Sequence, residues 1–273
     1  MKIAVTGATG FIGRHVLAEL EKRPVETIAL VRDSATDPNK FSGSRLVQLD
    51  LHEKSADAFD LMGRPDVLIH LAWSGLPNYK SLHHFEHELP AQYRFLKNLV
   101  TSGLQSLVIT GTCFEYGMQS GALSEELEPR PSNPYGFAKD SLRRQLEFLK
   151  ADHPFRLTWA RLFYLYGEGQ AETSLLPQLR MAVARGEKAF NMSGGEQLRD
   201  YLPVTEVARH LVSLSLENEE NGVVNVCSGT PISVKKLVEG WIKKNKWSIS
   251  FSVANWTRSS PGVSPRANCS VIH

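Results

Sequence analysis

Met1-Lys2-Ile3-Ala4-Val5-Thr6-Gly7-Ala8-Thr9-Gly10-Phe11-Ile12-Gly13 runs an apolar stretch straight into three glycines spaced three apart. The apolar run predicts a strand over Lys2 to Thr6, and the glycines at its end predict a tight turn opening a helix over Gly13 to Lys22. In that setting the first glycine permits the turn and the second lets the backbone approach a pyrophosphate. The third allows close packing of helix on strand. A helix that starts there points unpaired N–H groups and the positive end of its dipole at the phosphates. A bound dinucleotide is therefore expected on the loop from Gly7 to Gly13, with Thr9, Gly10, Phe11 and Ile12 included.

Downstream, short apolar runs alternate with amphipathic stretches. Strands are predicted over Thr27 to Val31, Arg45 to Leu49, Val67 to Leu71, Leu107 to Thr110 and Leu157 to Leu162, with a helix over Pro90 to Ser102 among the segments between them. Apolar strands separated by helices imply a parallel sheet buried on both faces, an α/β fold of the Rossmann-type doubly wound kind. Ligands of such sheets sit at the carboxyl ends of the strands, where Gly7, Arg32, Asp50, Ala72 and Thr112 fall. After Gly167 the rhythm loosens into a smaller C-terminal α/β lobe. Helices are predicted over Ser174 to Arg185, Val204 to Leu216 and Ser233 to Lys244, a turn-rich break over Asn191 to Gly195, and a short strand over Val223 to Val226. The expected division is a dinucleotide-binding domain at 1–166 with a return segment at about 200–228, and a substrate-binding lobe at 167–199 and 229–273. From Ala254 onward the chain is Ser- and Pro-rich, and an irregular tail is expected.

The 273 residues carry a net charge of +2 with scattered basic residues, so no footprint for nucleic acid is present. Cys113, Cys227 and Cys269 are odd in number and widely spaced, which argues against a disulfide framework and fits a reducing compartment. With a strand predicted from Lys2, no leader is expected, and no apolar run reaches the roughly 18 residues of a membrane span. A cytoplasmic protein is expected. His83, His84 and His87 read as a solvated helix face and not as metal ligands, because a third well-placed ligand is lacking.

The second strand ends Leu30-Val31-Arg32-Asp33. An acid nearest the ribose would favour NAD. Arg32 lies there by its spacing from Gly13, and a guanidinium suits a 2′-phosphate, so NADP is expected, with NAD possible if Asp33 turns inward. Tyr135 and Lys139, four apart in a helix starting at Asn133-Pro134, share one helix face. The ammonium is expected to lower the phenol pKa toward neutrality, making Tyr135 a general acid in reduction and a general base in oxidation. Thr112, at the end of the fifth strand, is expected to hydrogen-bond the same substrate oxygen. Thr112, Tyr135 and Lys139 are the expected catalytic set.

Taken together, Thr6 to Gly13, Asp50-Leu51, His70-Leu71-Ala72, Thr112 with Tyr116-Gly117, Tyr135/Lys139, Arg161 to Gly167, Arg199-Asp200-Tyr201 and Asn225 to Gly229 resemble the extended short-chain dehydrogenase/reductases of the nucleotide-sugar epimerase/dehydratase family. The resemblance covers residues 1 to about 230. It implies that Asp50 and Leu51 meet the adenine and that Leu71, Ala72 and Trp73 line the cofactor ribose and nicotinamide side. Thr110 and Phe163 would join Tyr135 and Lys139 on the cofactor. Arg199 would meet the substrate diphosphate, and the family often forms homodimers through paired helices.

Similar 4,6-dehydratases carry an Asp-Glu pair directly after the threonine. Cys113 and Phe114 stand there in this chain, so dehydration is disfavoured. Leu71 to Tyr79 and Thr110 to Gly117 resemble bacterial reductases of dTDP-4-keto-6-deoxyhexoses, which make dTDP-fucose or dTDP-6-deoxytalose for surface polysaccharides. Trp73, Tyr79, Cys113, Phe114 and Tyr164 are then candidate substrate contacts. Tyr164 departs from the family's usual asparagine, and the ending from Phe251 departs from the family's lid, so whether Arg258 or Arg266 reaches substrate is left open. The leading expectation is an NAD(P)H-dependent 4-ketoreductase. The alternatives are a 4-epimerase using the same residues and a non-catalytic dinucleotide sensor of the same fold.

Overall fold

The computed structural model describes residues 1–32, 41, 43–53, 55, 57–217 and 219–253. Asp33, Arg258, Arg266, Cys269 and the tail from Ala254 lie outside the described residues. Two compact units divide the chain: Met1–Leu165 with Leu202–Cys227, and Tyr166–Tyr201 with the described residues from Ser228 onward.

The elements follow in chain order as β1 Lys2–Thr6, α1 Phe11–Leu20, β2 Glu26–Val31, β3 Ser44–Gln48, α2 Ala58–Leu61 and β4 Val67–His70. A π-helical turn, His84–Glu88, runs directly into α3 Leu89–Thr101, followed by β5 Ser106–Thr112 and a 3-10 turn at Cys113–Tyr116. Next come α4 Pro134–Asp152, β6 Arg156–Leu162, β7 Tyr164–Tyr166, α5 Leu175–Ala184, β8 Ala189–Met192 and β9 Leu198–Arg199. The chain continues through β10 Tyr201–Pro203, α6 Val204–Leu216, β11 Gly222–Val226, β12 Ile232–Ser233, α7 Val234–Asn245 and β13 Ser250–Val253.

In the first unit seven strands form one sheet in the order β11-β6-β5-β4-β1-β2-β3, with every described pairing parallel. The order reverses between β1 and β4, the switch point at which doubly wound sheets open a crevice. Because side chains alternate along a strand, Ala4, Leu68 and Trp159 face a layer containing Phe95, Leu96, Leu142 and Leu146 of α3 and α4. Ile3, Val5, Ile69 and Ala160 face the opposite layer, with Val16 and Leu20 of α1 and Val207 and Leu211 of α6. Every residue of β4 and β5 is buried, which is why their apolar stretches at 67–69 and 107–109 do not alternate with exposed polar residues. The α/β fold with its parallel sheet is as expected.

The second unit has its own core of Leu176, Leu179, Phe190, Val238 and Trp241. One expectation is overturned there. The break predicted over Asn191 to Gly195 begins late, because β8 continues through Met192 and pairs in parallel with β13. Partners some sixty residues apart leave no local signal.

Candidate functional site at the switch point

Gly7 takes φ +66°, a conformation costly for any side chain, and a Cβ on it would sit 2.9 Å from the Ala72 nitrogen. The end of β1 therefore lies directly against the loop leaving β4. Gly13 packs closer still: a Cβ there would be 2.1 Å from the Gly7 carbonyl oxygen and 2.8 Å from the Ala8 Cα. The turn is closed by the Gly10 N–H donating to the Gly7 carbonyl at 2.9 Å. Thr9 and Gly10 are exposed, while Phe11 and Ile12 are half-buried. Gly13→Ala is expected to cost about 1–3 kcal/mol by overpacking against backbone and to weaken dinucleotide binding. Urea unfolding and calorimetry check the two effects.

A buried polar chain fixes the loop after β4. The Thr6 hydroxyl accepts from the Leu71 and Ala72 N–H groups at 3.1 and 3.2 Å. With both lone pairs used, its proton goes to His70 Nδ1 at 2.9 Å. His70 Nε2–H then donates to Gln92 Oε1 at 2.8 Å, and Gln92 Nε2 donates to Glu88 at 2.8 Å. Burial, and then the Lys139 charge, push the His70 pKa down to about 3, so the ring is neutral. Burial opposes ionisation of Glu88, but hydrogen bonds from Ser74, Gln92 and His52 outweigh it and hold the carboxyl down at about 2. Ser74 Oγ donates to Glu88 at 2.5 Å, and His52 Nε2 lies 2.8 Å from the same oxygen.

His84 departs from the solvated helix face expected of it. The π-helical turn carries it inward to full burial. Its Nδ1 accepts the Trp73 indole N–H at 3.1 Å, and its Nε2–H donates to the Asn78 carbonyl at 2.9 Å. Among the described residues no group of three His, Cys, Asp or Glu is placed to hold a metal ion.

Tyr135 and Lys139 project from the first turns of α4. Asn133 caps this helix by accepting from the Gly136 N–H at 2.9 Å, with Pro134 at its first position. The Tyr135 ring is enclosed by Trp73, Tyr79, His84 and Phe114 at centroid separations of 6.0, 5.5, 5.2 and 6.3 Å. Thr112 lies close enough to the Tyr135 phenol to help lower its pKa, so these two expected residues are brought together. Lys139 Nζ donates to the Thr110 carbonyl at 2.9 Å and sits 4.1 Å above the Trp73 ring, 6.0 Å from the Tyr135 ring centroid.

The expected lowering of the phenol pKa is accordingly corrected. Burial, with smaller effects from Tyr79, Glu115 and Cys113, pushes Tyr135 well above the usual phenol range, and nearby Thr112 offsets only part of this. Burial pushes Lys139 down to about 7 against the opposing charges of Glu115 and Glu88.

Beneath Thr112 lies an ion pair that the sequence did not reveal. Glu115 accepts from the Thr112 N–H at 2.8 Å, from the Trp159 indole N–H at 3.0 Å and from Arg161 Nε at 2.7 Å. The Glu115 and Arg161 side chains are 0% and 1% exposed. Glycine is required at position 111, where a Cβ would meet Trp159 Nε1 at 2.2 Å.

The remaining expected residues fall on several elements. Asp50 lines a pocket with Leu49, Arg94, Phe95 and Asn98, whose Oδ1 is buried without a partner; Leu51 is buried beside it. Arg32 is exposed and lies near enough to Asp50 to help lower its pKa, after the His52 hydrogen bonds. Phe114 meets the Tyr79 ring in a tilted arrangement with centroids 4.9 Å apart, and Cys113 is half-buried. The Phe163 N–H donates to the Val226 carbonyl at 3.4 Å. Tyr164 is half-buried in β7. Arg199, in the second unit, donates to the Leu198 carbonyl at 2.8 Å.

A model of the NAD dependent epimerase/dehydratase family matches residues 3–227. The chain belongs to this family. It is 29% identical over 251 residues, covering 91% of this chain and 92% of the relative, to the dTDP-6-deoxy-L-talose 4-dehydrogenase (NAD(+)) of Aggregatibacter actinomycetemcomitans. It is also similar to the solved structure of MoeE5 in complex with UDP-glucuronic acid and NAD, at 29% identity and TM-score 0.77, covering 93% of this chain and 85% of that one. The fold matches that of a UDP-N-acetylglucosamine 4-epimerase from Methanobrevibacter ruminantium M1 at TM-score 0.81 and 22% identity, covering 95% and 86% of the two chains. Family membership makes the protein an oxidoreductase of the nucleotide-sugar dehydrogenase, reductase and epimerase kind.

Proposed function

We propose that the protein is an NAD(P)H-dependent reductase of a nucleotide-linked 4-keto-6-deoxyhexose, able to run in reverse as a 4-dehydrogenase. The observation that carries this is the phenol of Tyr135, set close to Thr112 and kept protonated by burial at the carboxyl end of the parallel sheet. A proton donor of that kind suits delivery to a sugar oxygen during reduction.

The residues fit a nicotinamide dinucleotide, since at Gly7 and Gly13 a Cβ would strike backbone. Gly7 to Gly13 would hold the pyrophosphate, the pocket beside Asp50 the adenine, and Leu71, Ala72, Thr110 and Phe163 the nicotinamide side. When bound, the nicotinamide supplies or takes the hydride at the sugar C4. Tyr135 gives its proton to the C4 oxygen in reduction and takes it back in oxidation. Thr112 orients the phenol and bonds the same oxygen, while Lys139 places a positive charge behind them. Tyr79, Cys113, Phe114 and Tyr164 would line the sugar, and Arg199 would meet the diphosphate. Dehydration is not supported, because Phe114 offers an aromatic ring where a second acid would be needed.

The relatives' names favour NAD; Arg32 favours NADP. Comparing kcat/KM for the two cofactors in wild type and Arg32→Ala separates these readings. If Arg32 grips a 2′-phosphate, the variant loses about tenfold or more on NADP alone, as expected for one charge-assisted contact; an unchanged ratio removes Arg32 from the account.

No described helix is long and apolar enough to cross a membrane, and a cytoplasmic homodimer completes the proposal. Phe137 and Phe148 of α4, 51% and 79% exposed, offer apolar surface for paired helices. Incubation with NADH or NADPH and dTDP-4-keto-6-deoxyglucose should deplete the reduced cofactor. Interconversion of intact sugar nucleotides without net cofactor turnover would instead mark a 4-epimerase, the reading favoured by the shared Thr112, Tyr135 and Lys139 set.

A further inference from the structure

Trp73 sits where a sugar-stacking side chain is expected, yet its polar atom and one ring face are already engaged. The indole N–H is held by His84, which is itself held by the Asn78 carbonyl. The Lys139 ammonium lies 4.1 Å above the ring and donates to the Thr110 carbonyl at 2.9 Å. A buried ammonium needs three acceptors to replace water. One carbonyl supplies a single acceptor, and the indole face, the strongest of the aromatic rings for a cation, supplies a second site of attraction.

We propose that Trp73 is a positioning residue for Lys139: locked by His84, its indole face keeps the ammonium charged and fixed beside Tyr135. This inference rests on the proposed ketoreductase site for its consequence in turnover, but not for the contact itself. The charged and titratable groups around Lys139 are Glu115 below β5, Glu88 in the π-helical turn, His70 on β4, His84 opposite and Tyr135 on the same helix. Only the two carboxylates favour the charged lysine. Burial acts strongly against it, so removing the indole face moves the ammonium toward neutrality.

The sign is definite. A lysine whose charge is less well stabilised loses its proton at lower pH, so an activity that needs the ammonium fails earlier as pH rises. Trp73→Leu is expected to move the alkaline limb of kcat/KM down by about one pH unit or more, as loss of a desolvated cation–π contact implies. Trp73→Phe, which retains a ring face, should recover most of the shift, and His84→Gln should give an intermediate one.

The direct test is NMR of protein labelled with ¹³C-lysine, with the Lys139 signals identified by their loss in Lys139→Arg. In wild type the ε-methylene protons of Lys139 should be shifted upfield by the ring current, and the titration midpoint should fall in Trp73→Leu. Random-coil ε-proton shifts in wild type overturn the proposal without any variant, as does an unchanged midpoint in Trp73→Leu. Because the midpoint is read without turnover, a fallen midpoint in an enzyme inactive on every 4-keto nucleotide sugar would sustain the Trp73–Lys139 contact and sink the ketoreductase reading alone.

Discussion

Tyr135→Phe is expected to lower kcat for reduction of a nucleotide-linked 4-keto-6-deoxyhexose by about 10²–10⁴, the contribution of a positioned proton donor. The substitution deletes one oxygen and keeps the ring that Trp73, Tyr79, His84 and Phe114 enclose. Packing and dinucleotide affinity should therefore survive. Steady-state kinetics with calorimetric titration of the cofactor separate the two quantities. A rate within a few-fold of wild type would remove Tyr135 as the acid. Loss of cofactor binding in parallel would show that the phenol serves structure and not proton transfer.

Arg161→Leu is expected to cost about 3–5 kcal/mol of stability, because it strands a buried carboxylate. Glu115 and Arg161 are 0% and 1% exposed and meet at 2.7 Å. Burial already pushes the Glu115 pKa up, and Arg161 heads the interactions that oppose this. Without Arg161 the folded-state pKa rises further above the unfolded value. The penalty is then absent where both states are protonated, below the unfolded pKa of about 4.5. It grows as pH rises from there through the folded pKa. Urea unfolding at acidic and neutral pH should show a smaller deficit in acid, and Glu115→Gln combined with Arg161→Leu should recover part of the neutral-pH loss. Equal deficits at both pH values would mean that lost packing, and not the stranded charge, dominates. Since Glu115 also receives the Thr112 N–H, kcat should fall along with stability.

The sheet was legible because its strands are buried on both faces. Ile3, Val5 and Ala4 pack into opposite layers, so the chain spells an apolar run at the central strands. The glycine loop was legible for a complementary reason: Gly7 needs positive φ, and Gly13 has no room for a methyl group, so no other residue type fits. Tyr135 and Lys139 could be paired from their four-residue spacing on one helix. That spacing says nothing about where a long side chain points, and the ammonium turned to Thr110 and Trp73.

The polar interior left no trace of its organisation. His70, Gln92 and Glu88 are joined across separate elements, and Glu115 of the 3-10 turn meets Trp159 and Arg161 of β6; none of these pairings has a sequence period. The solvated face expected of His84 follows from α-helical spacing, which the chain does not keep there. The π-helical turn at His84–Glu88 rotates successive residues differently and takes one histidine of the cluster into the core. Helical irregularities of this kind occur often beside functional sites, and here it delivers the ring that anchors Trp73.

At the centre of the account is hydride exchange at the sugar C4 with a proton supplied by Tyr135. The most direct measurement is reduction of dTDP-4-keto-6-deoxyglucose with NADH or NADPH carrying two deuterons at the nicotinamide C4, followed by NMR of the product. One deuteron on the sugar C4 and stoichiometric oxidation of the cofactor are expected. An isomerised sugar without deuterium, or no conversion by protein that binds the dinucleotide, would contradict this hydride exchange.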